Sequence, residues 1–368
     1  MAKQAKKVVV KIGSSVIAPG GKLDSALITK IVEDILRVEK KGYKVVLVSS
    51  GAIACGLNCL GHKRRPNDTY ALMAISSLGQ IALMDVFNNK FKKYKRKCAQ
   101  ILLTWDDFDN RKRYMNIRKT IDKILSMGAI PVINENDVTS YDEIRFGDND
   151  RLSALVADLI GASELIMLSD VEGLLRGDKL VKEVFKIDKK IASLAREEDK
   201  THTSGGMLTK LEAARIATSS GIRTTIACGR KKQVISKALG GQPVGTIFFA
   251  CSDKEGAKKR WIASSKNIKG SLAIDEGAKN ALLCKGRSLL NVGVTEVEGP
   301  FKEGDAVRVL DENGNFIGCG VVNYSYQDLK QAKKKRLQKE VIHRDNFVKS
   351  DEDWCYQSHI VTKQKSKK

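Results

Sequence analysis

The sequence lacks several signatures that would settle a function class at once. No uninterrupted apolar run approaches the roughly 20 residues that a bilayer span requires, so a membrane protein is not expected. The start, Met1 to Lys7, is basic, but the apolar stretch after it, Val8 to Ile12, is short and interrupted by Lys11. No cleavage pattern follows, and no secretory signal is expected. Paired CxxC spacing is missing as well: the cysteines are Cys55, Cys59, Cys98, Cys228, Cys251, Cys284, Cys319 and Cys355. That scatter speaks against a zinc or dithiol site and fits reduced thiols in the cytoplasm. Cys55 and Cys59 have the spacing of one helical turn and read as core or surface thiols. Neither a GxxxxGK[ST] loop nor a GxGxxG turn occurs, so phosphate binding cannot be argued from those motifs. His343-Arg344-Asp345 has the letters of a protein-kinase catalytic loop, but no Asp-Phe-Gly follows, and the match is read as chance.

What is present begins with length and charge. A chain of 368 residues exceeds what one hydrophobic core usually serves, so a large domain with a smaller module is expected. The net charge of +22 invites a nucleic-acid reading. The excess is shared by both parts of the chain, however, and it suits nucleotides or amino-acid carboxylates as well as RNA. Runs such as Lys92 to Lys97 and Lys363 to Lys368 read as solvated faces.

Short β-branched runs alternate with helix-like stretches through the first two-thirds of the chain: Val8 to Ile12, Lys44 to Val48, Ala99 to Leu103, Ile130 to Ile133, Leu165 to Leu168 and Thr224 to Ala227. The alternation predicts an α/β fold, an open and mostly parallel sheet sandwiched by helices. Between the first two runs, Asp24 is placed to cap a helix with Leu27, Ile31, Ile35 and Val38 on one face, ending at Gly42. Four runs end in small or polar residues, at Gly13-Ser14-Ser15, Ser49-Ser50-Gly51-Ala52, Asn134-Glu135-Asn136-Asp137 and Ser169-Asp170. Any one of these is also what a helix cap needs. Together they predict a ligand site beyond the carboxyl ends of the strands, where backbone amides approach an anion.

After about residue 250 the texture changes to short alternating strands, Ser271 to Ile274, Asp305 to Leu310 and Phe316 to Val322, with Asn313-Gly314 as a hairpin signal. The boundaries expected are a catalytic domain over 1–255, a small β-rich module over 268–345 and a basic tail over 346–368. The charged segment Cys251 to Arg260 is the linker.

The loops resemble the amino-acid kinase family, and within it the branch that acts on glutamate. The resembling stretches are Val9 to Ser15, Val48 to Ala54, Arg113 to Arg118, Pro131 to Asp137, Phe146 to Leu155, Leu168 to Asp170 and Thr203 to Lys210. Each is weak alone; their order and spacing are specific. The resemblance implies transfer of the γ-phosphoryl group of ATP, with Mg2+, to the side-chain carboxylate of L-glutamate, the first step towards proline. The product would be L-glutamyl 5-phosphate. A carboxylate has a reference pKa of about 4.3, so the nucleophile arrives ionised and no general base is needed. The obstacle is repulsion between anions, and the remedy is positioning plus cations.

By this resemblance Lys11 and Lys210 flank the transferred group and Asp150 organises them. Ser50, Gly51, Ala52, Asn134, Asp137, Asp148 and Asn149 form the glutamate site. Lys11, Gly13, Ser14, Ser169, Asp170 and the loop Ser204, Gly205, Gly206, Met207, Leu208, Thr209 and Lys210 form the ATP site, glycines allowing close backbone approach to phosphate. No protein ligand set for a metal is expected; magnesium comes with ATP. Read without the resemblance, the acid-rich stretch Asp142 to Asp150 is also compatible with a solvated hairpin tip, and Lys11 with an edge strand. One departure is visible. Val171 to Lys179 follows Asp170 directly, where family members commonly carry a longer Thr-Ala-Asp-Pro-type insert, so the nucleotide-side loop is trimmed.

Gly270 to His343 resembles a PUA domain, a small β-barrel, through Asp275-Glu276-Gly277-Ala278 and Glu303 to Val307, with Trp261 upstream. Lys333 to Arg336 offer a basic face for RNA. No aromatic stacking pattern accompanies it, so a structural or regulatory role is the expectation. Family resemblance also implies a homo-oligomer. Two rival readings stay in view: a family member acting on aspartate, acetylglutamate, carbamate or a nucleoside monophosphate, and an RNA-binding or RNA-modifying protein.

Overall fold

Strands that must bury both faces read as continuous β-branched runs, and here they assemble side by side. The computed structural model describes residues 5–62, 64–139, 149–198, 206–250, 268–332 and 337–349. The chain divides into two compact units, 1–254 and 255–368.

In the first unit the long strands are β1 (Lys7–Ile12), β2 (Lys44–Ser49), β3 (Cys98–Leu103), β4 (Ile130–Glu135) and β5 (Glu164–Ser169). Short pieces β6 (Leu175–Arg176), β7 (Lys179–Leu180) and β8 (Glu183–Val184) precede β9 (Arg223–Cys228) and β10 (Thr246–Phe248). One eight-stranded sheet runs in the order β3-β4-β2-β1-β5-β9-β10-β8. Its pairs are parallel except β9 with β10. In the segment after Asp170, β6 and β7 form a separate antiparallel ribbon.

The helices are α1 (Ser14–Ile17), α2 (Ser25–Lys40), α3 (Ala52–Cys59), α4 (Thr69–Lys92), α5 (Asp106–Asp109), α6 (Arg111–Ser126), α7 (Asn149–Ile160), α8 (Lys189–Glu198), α9 (Met207–Ser219) and α10 (Val234–Leu239). Helix α2 starts as its cap dictates: Asp24 accepts the Leu27 N–H at 2.9 Å. Its face of Leu27, Ile31, Ile35 and Val38 is buried, and Gly42 takes φ 87° just past its end.

The pleat of β1 sorts its side chains between two cores. Val8, Val10 and Ile12 join a cluster with residues of α2, α4 and α10, while Val9 joins one with residues of α6, α7 and α9. Lys11 has the parity of Val9, so its ammonium is delivered to the α7–α9 side at the carboxyl end of a central strand. It sits opposite Val48 on one neighbour and Met167 on the other. The edge-strand alternative for Lys11 is thereby removed.

Helix α4 is long and apolar enough to cross a membrane by length and composition. Its apolar stretch is broken by Ser76, Gly79 and Gln80, which are buried inside the fold. Glycines let α4 cross α3 at backbone contact. A Cβ on Gly79 would stand 1.7 Å from the Ala52 carbonyl oxygen, and one on Gly56 would stand 1.9 Å from that of Ile75.

The second unit contains β11 (Ile268–Ile274), β12 (Val294–Glu298), β13 (Ala306–Asp311), β14 (Phe316–Val321) and β15 (Phe347–Lys349), with α11 (Glu276–Leu283) and α12 (Tyr326–Ala332). Its five-stranded sheet has the order β12-β11-β13-β14-β15 around a core that includes Leu272, Val307, Val309 and Ile317. The hairpin signalled by Asn313-Gly314 joins β13 to β14, with Gly314 at φ 77°. Its turn is tied by Asp311, whose carboxylate accepts the Asn313 and Asn315 N–H groups at 3.0 and 2.9 Å. His343, Arg344 and Asp345 serve a short 3-10 turn before β15, His343 Nδ1 accepting the Asp345 N–H at 3.2 Å. Trp261, the 251–260 linker, Lys333 to Arg336 and the tail from residue 350 lie outside the described residues.

Because the α3–α4 crossing leaves no room for a methyl group, Gly79→Ala should destabilise the protein by about 1–3 kcal/mol despite the better helix propensity of alanine. Urea denaturation measures this; an unchanged or raised midpoint would contradict the close crossing.

Candidate active site

At the carboxyl end of β1 the Lys11 ammonium meets the start of α7. Its Nζ lies 2.6 Å from Asp150 Oδ1, with both side chains over nine-tenths buried. Lys210 approaches the other oxygen, Nζ to Oδ2 at 3.4 Å, and the Thr209 hydroxyl donates to the same oxygen at 2.9 Å. Burial alone would raise the pKa of Asp150. The charges of Lys11 and Lys210, with hydrogen bonds from Lys11 and Thr209, overcome that and hold the carboxyl below its usual range. Asp150 is therefore an anion, and it stands between two cations.

Lys210 belongs to the first turn of α9 rather than to the end of a loop. Gly206 is the N-cap of that helix, and its carbonyl oxygen lies 2.9 Å from the Thr209 hydroxyl oxygen, the alternative acceptor for that single hydrogen. Met207 is buried in the second core and Leu208 packs against it, so these two can meet a ligand only through backbone N–H groups. Ser204 and Gly205 lie outside the described residues, as does Asp148.

A second cluster adjoins the first. Asn149, one residue before Asp150, donates its side-chain amide to Ser50 Oγ at 3.0 Å and to Asn134 Oδ1 at 2.9 Å. Asn134 Oδ1 also accepts the Glu135 N–H at 2.9 Å. The carbonyl oxygen of the Asn149 side chain is buried without a hydrogen-bond partner among the described residues, leaving an acceptor for a donor still to come. Ser50 follows β2, and its N–H reaches back to the Ile12 carbonyl at 3.1 Å. Gly51 needs its glycine: φ is 110°, and a Cβ would lie 2.8 Å from Ile17. Ala52 is buried, so only its backbone is available.

Asp137 is only half buried, yet burial pushes its carboxyl above the usual range; a hydrogen bond from Ser76 and the charge of Arg65 oppose the shift incompletely. On the far side of β1, Gly13 donates to the Leu168 carbonyl at 3.0 Å, and a Cβ on it would stand 3.7 Å from Lys11 Nζ. The Gly13 backbone thus passes beside the ammonium group. Ser169 donates to Asp170 Oδ1 at 3.1 Å. Burial would raise the Asp170 pKa; hydrogen bonds from its own backbone, Ser169 and Ser15, with the charge of Lys210, lower it instead. Ser14 opens α1 and is exposed.

Three residues in this neighbourhood had no assigned place in the sequence reading or a different one. Ser76 donates to Asp137, Gln80 donates to the Glu135 carbonyl at 3.3 Å, and Thr209, expected only as a nucleotide contact, also holds Asp150. Ser76 and Gln80 left one signal: polar side chains four apart inside an apolar helix.

Chemically, the arrangement offers two ammonium groups for an anion, backbone amides at the start of α9 and beside Gly13, and a polar cluster of amides and hydroxyls next to them. Residues 6–228 match the Amino acid kinase family and residues 270–344 match the PUA domain. The glutamate 5-kinase of Nitrosomonas eutropha is 40% identical over 363 residues, covering 94% of this chain and 97% of its own. That of Methylococcus capsulatus is 41% identical over 365 residues, covering 94% and 98%. A solved structure of carbamate kinase from Giardia lamblia bound to AMP-PNP superposes with a TM-score of 0.47 at 21% identity, covering 67% of this chain and 99% of that one. The paired lysines and the loops around them thus sit inside a near-full-length likeness, and the chain belongs to the amino acid kinase family, with a PUA domain on its C-terminal side.

Proposed function

We propose that this protein transfers the γ-phosphoryl group of ATP to the side-chain carboxylate of L-glutamate, giving L-glutamyl 5-phosphate and ADP. The observation that carries the reading is the buried Asp150 with Lys11 and Lys210 on its two oxygens, beside the Ser50–Asn134–Asn149 cluster. The near-full-length relatives that act as glutamate 5-kinases point the same way.

In this reading one oxygen of the substrate carboxylate attacks the γ-phosphorus as the bond from that phosphorus to the β,γ-bridging oxygen breaks. Charge moves onto the transferred group and the departing ADP. Lys11 and Lys210 neutralise it, and Asp150 keeps their ammonium groups aimed. Gly13, Ser14, Ser169, Asp170 and the Gly206 to Lys210 turn hold the nucleotide, with Ser204 and Gly205 assigned by position alone. Ser50 and the Gly51 and Ala52 backbone receive a carboxylate. Asn134, Asp137 and Asn149 receive the ammonium, joined by Asp148 on the sequence reading.

Among the described residues no cluster of His, Cys, Asp and Glu converges as a metal cage. Magnesium needs none here, because it binds through substrate phosphates, water and at most one or two carboxylates, and it would supply further neutralisation of phosphate charge. The reading assigns residues 1–255 to catalysis and the PUA module to the segment from 268 through the end of β15 at 349, four residues beyond the boundary of 345 expected from the sequence, because β15 pairs with β14. It places the enzyme in the cytoplasm, where free thiols such as Cys55 and Cys228 stay reduced, and makes it a homo-oligomer on family grounds. The PUA module is assigned a structural or regulatory role rather than RNA binding.

With ATP, magnesium and hydroxylamine, an acyl phosphate is trapped as a coloured hydroxamate. Glutamate should give colour, and aspartate, acetylglutamate and carbamate should not; absence of a glutamate-dependent product would sink the proposal. Lys210→Ala should lower kcat by about 10²–10³ while the glutamate KM changes little. Equal losses in both would argue against a role confined to the transition state. Filter binding with tRNA at two salt concentrations should give only weak retention that disappears at the higher one. Tight, salt-resistant retention would restore the RNA-binding alternative.

A further inference from the structure

The polar residues on the inner face of α4 take no part in the chemistry just described, yet they reach its substrate side. Ser76 is fully buried and Gln80 nearly so, in a helix whose other buried residues include Leu72, Ile75, Leu83 and Phe87. A hydroxyl in such a setting costs stability unless a partner satisfies it. Its partner is the carboxylate of Asp137, 61 residues away in sequence, just past the end of β4. Four residues on, Gln80 holds the carbonyl of Glu135, the last residue of β4, two positions before Asp137. An alanine would fill the place of Ser76 sterically, so packing does not account for the hydroxyl.

We propose that Ser76 is a positioning residue: its hydroxyl fixes the carboxylate of Asp137 in the orientation that receives the ammonium group of the amino-acid substrate, without touching the substrate itself. The proposal rests on the reading of Asp137 as a substrate-site residue. Charge follows from the same geometry. Burial pushes the Asp137 carboxyl towards its neutral form, against which stand the Ser76 hydroxyl from α4 and the Arg65 charge from the segment before that helix. A neutral Asp137 offers no charge to an ammonium group. The substrate KM therefore rises as the pH falls through the raised pKa of Asp137, while Asp150, whose pKa is lowered, stays ionised and turnover is retained. Removing the hydroxyl takes away one influence that lowers the Asp137 pKa, so the rise begins at a higher pH.

The test measures glutamate kcat and KM across the weakly acidic to neutral range for the full chain, Ser76→Ala, Asp137→Asn and the double variant, with urea midpoints for each. Ser76→Ala is expected to raise the glutamate KM about tenfold, as loss of a charge-assisted hydrogen bond does, with kcat within about twofold. Its KM-against-pH curve is displaced to higher pH. In the Asp137→Asn background, Ser76→Ala adds little. A raised KM in Asp137→Asn alongside wild-type KM and pH profile in Ser76→Ala overturns the positioning role and leaves the Asp137 reading standing. An unchanged KM in Asp137→Asn overturns both. A parallel fall in kcat and rise in KM with a lowered urea midpoint and no displaced pH curve marks Ser76 as merely structural and also overturns the proposal.

Discussion

Two ammonium groups do not share a buried corner of a protein without an anion between them, and Asp150 is that anion. Removing water makes both the repulsion and the attraction stronger, so the arrangement holds only while the carboxylate stays ionised and well bonded. Lys11 at 2.6 Å, Lys210 at 3.4 Å and the Thr209 hydroxyl meet that condition. The fold around them has the geometry that this centre requires: Lys11 from a central strand, Asp150 from the first turn of α7, and Thr209 with Lys210 from the first turn of α9. Each comes from a secondary-structure element rather than from a free loop, which is what keeps charges aimed during a reaction whose barrier is electrostatic.

The polarity of the sheet explains why the rest of the site is nearby. In parallel pairing the carboxyl ends of β1, β2, β4 and β5 all fall on one edge, and each continues into a segment of small or polar residues. Gly51 at φ 110° turns the chain from β2 into α3 in a space already filled by Ile17. Gly13 passes beside the Lys11 ammonium in the same way. Bulk at Gly13 would crowd the ammonium group that an anionic ligand needs, and bulk at Gly51 would strike Ile17.

Much of this was legible in the sequence, and the reasons are specific. Lys11 stood out because a charge inside an apolar β-branched run has to be matched. Asp24 and Gly42 marked the ends of α2 by their backbone chemistry. The edge strand β8 and its neighbour β10 were not legible, because two or three residues carry no period. The membership of Lys210 in a helix was hidden by the glycines before it, which read as a loop running to its end. Ser76, Gln80 and the second duty of Thr209 were out of reach for another reason. Their partners lie 61, 55 and 59 residues away, and hydrogen bonds between distant segments leave no local pattern.

Helix α4 joins these threads. Ser76, Gly79 and Gln80 lie within about one turn of each other on its inner face. Gly79 admits the start of α3 and with it the Ser50–Gly51 turn, while Ser76 and Gln80 hold the segment after β4 that carries Asp137. The loops assigned to the amino-acid substrate thus share one brace, whereas Asp150 and Lys210 are carried by α7 and α9 on the opposite face of the sheet. Packing on one face holds the segments proposed to receive the substrate, and packing on the other holds the cations. Asn149 and Asp150 are the point at which the two meet: adjacent residues at the start of α7, one bonded to Ser50 and Asn134, the other to the lysines. A displacement of that first turn would move both halves together, while a change in α4 would reach the substrate side first.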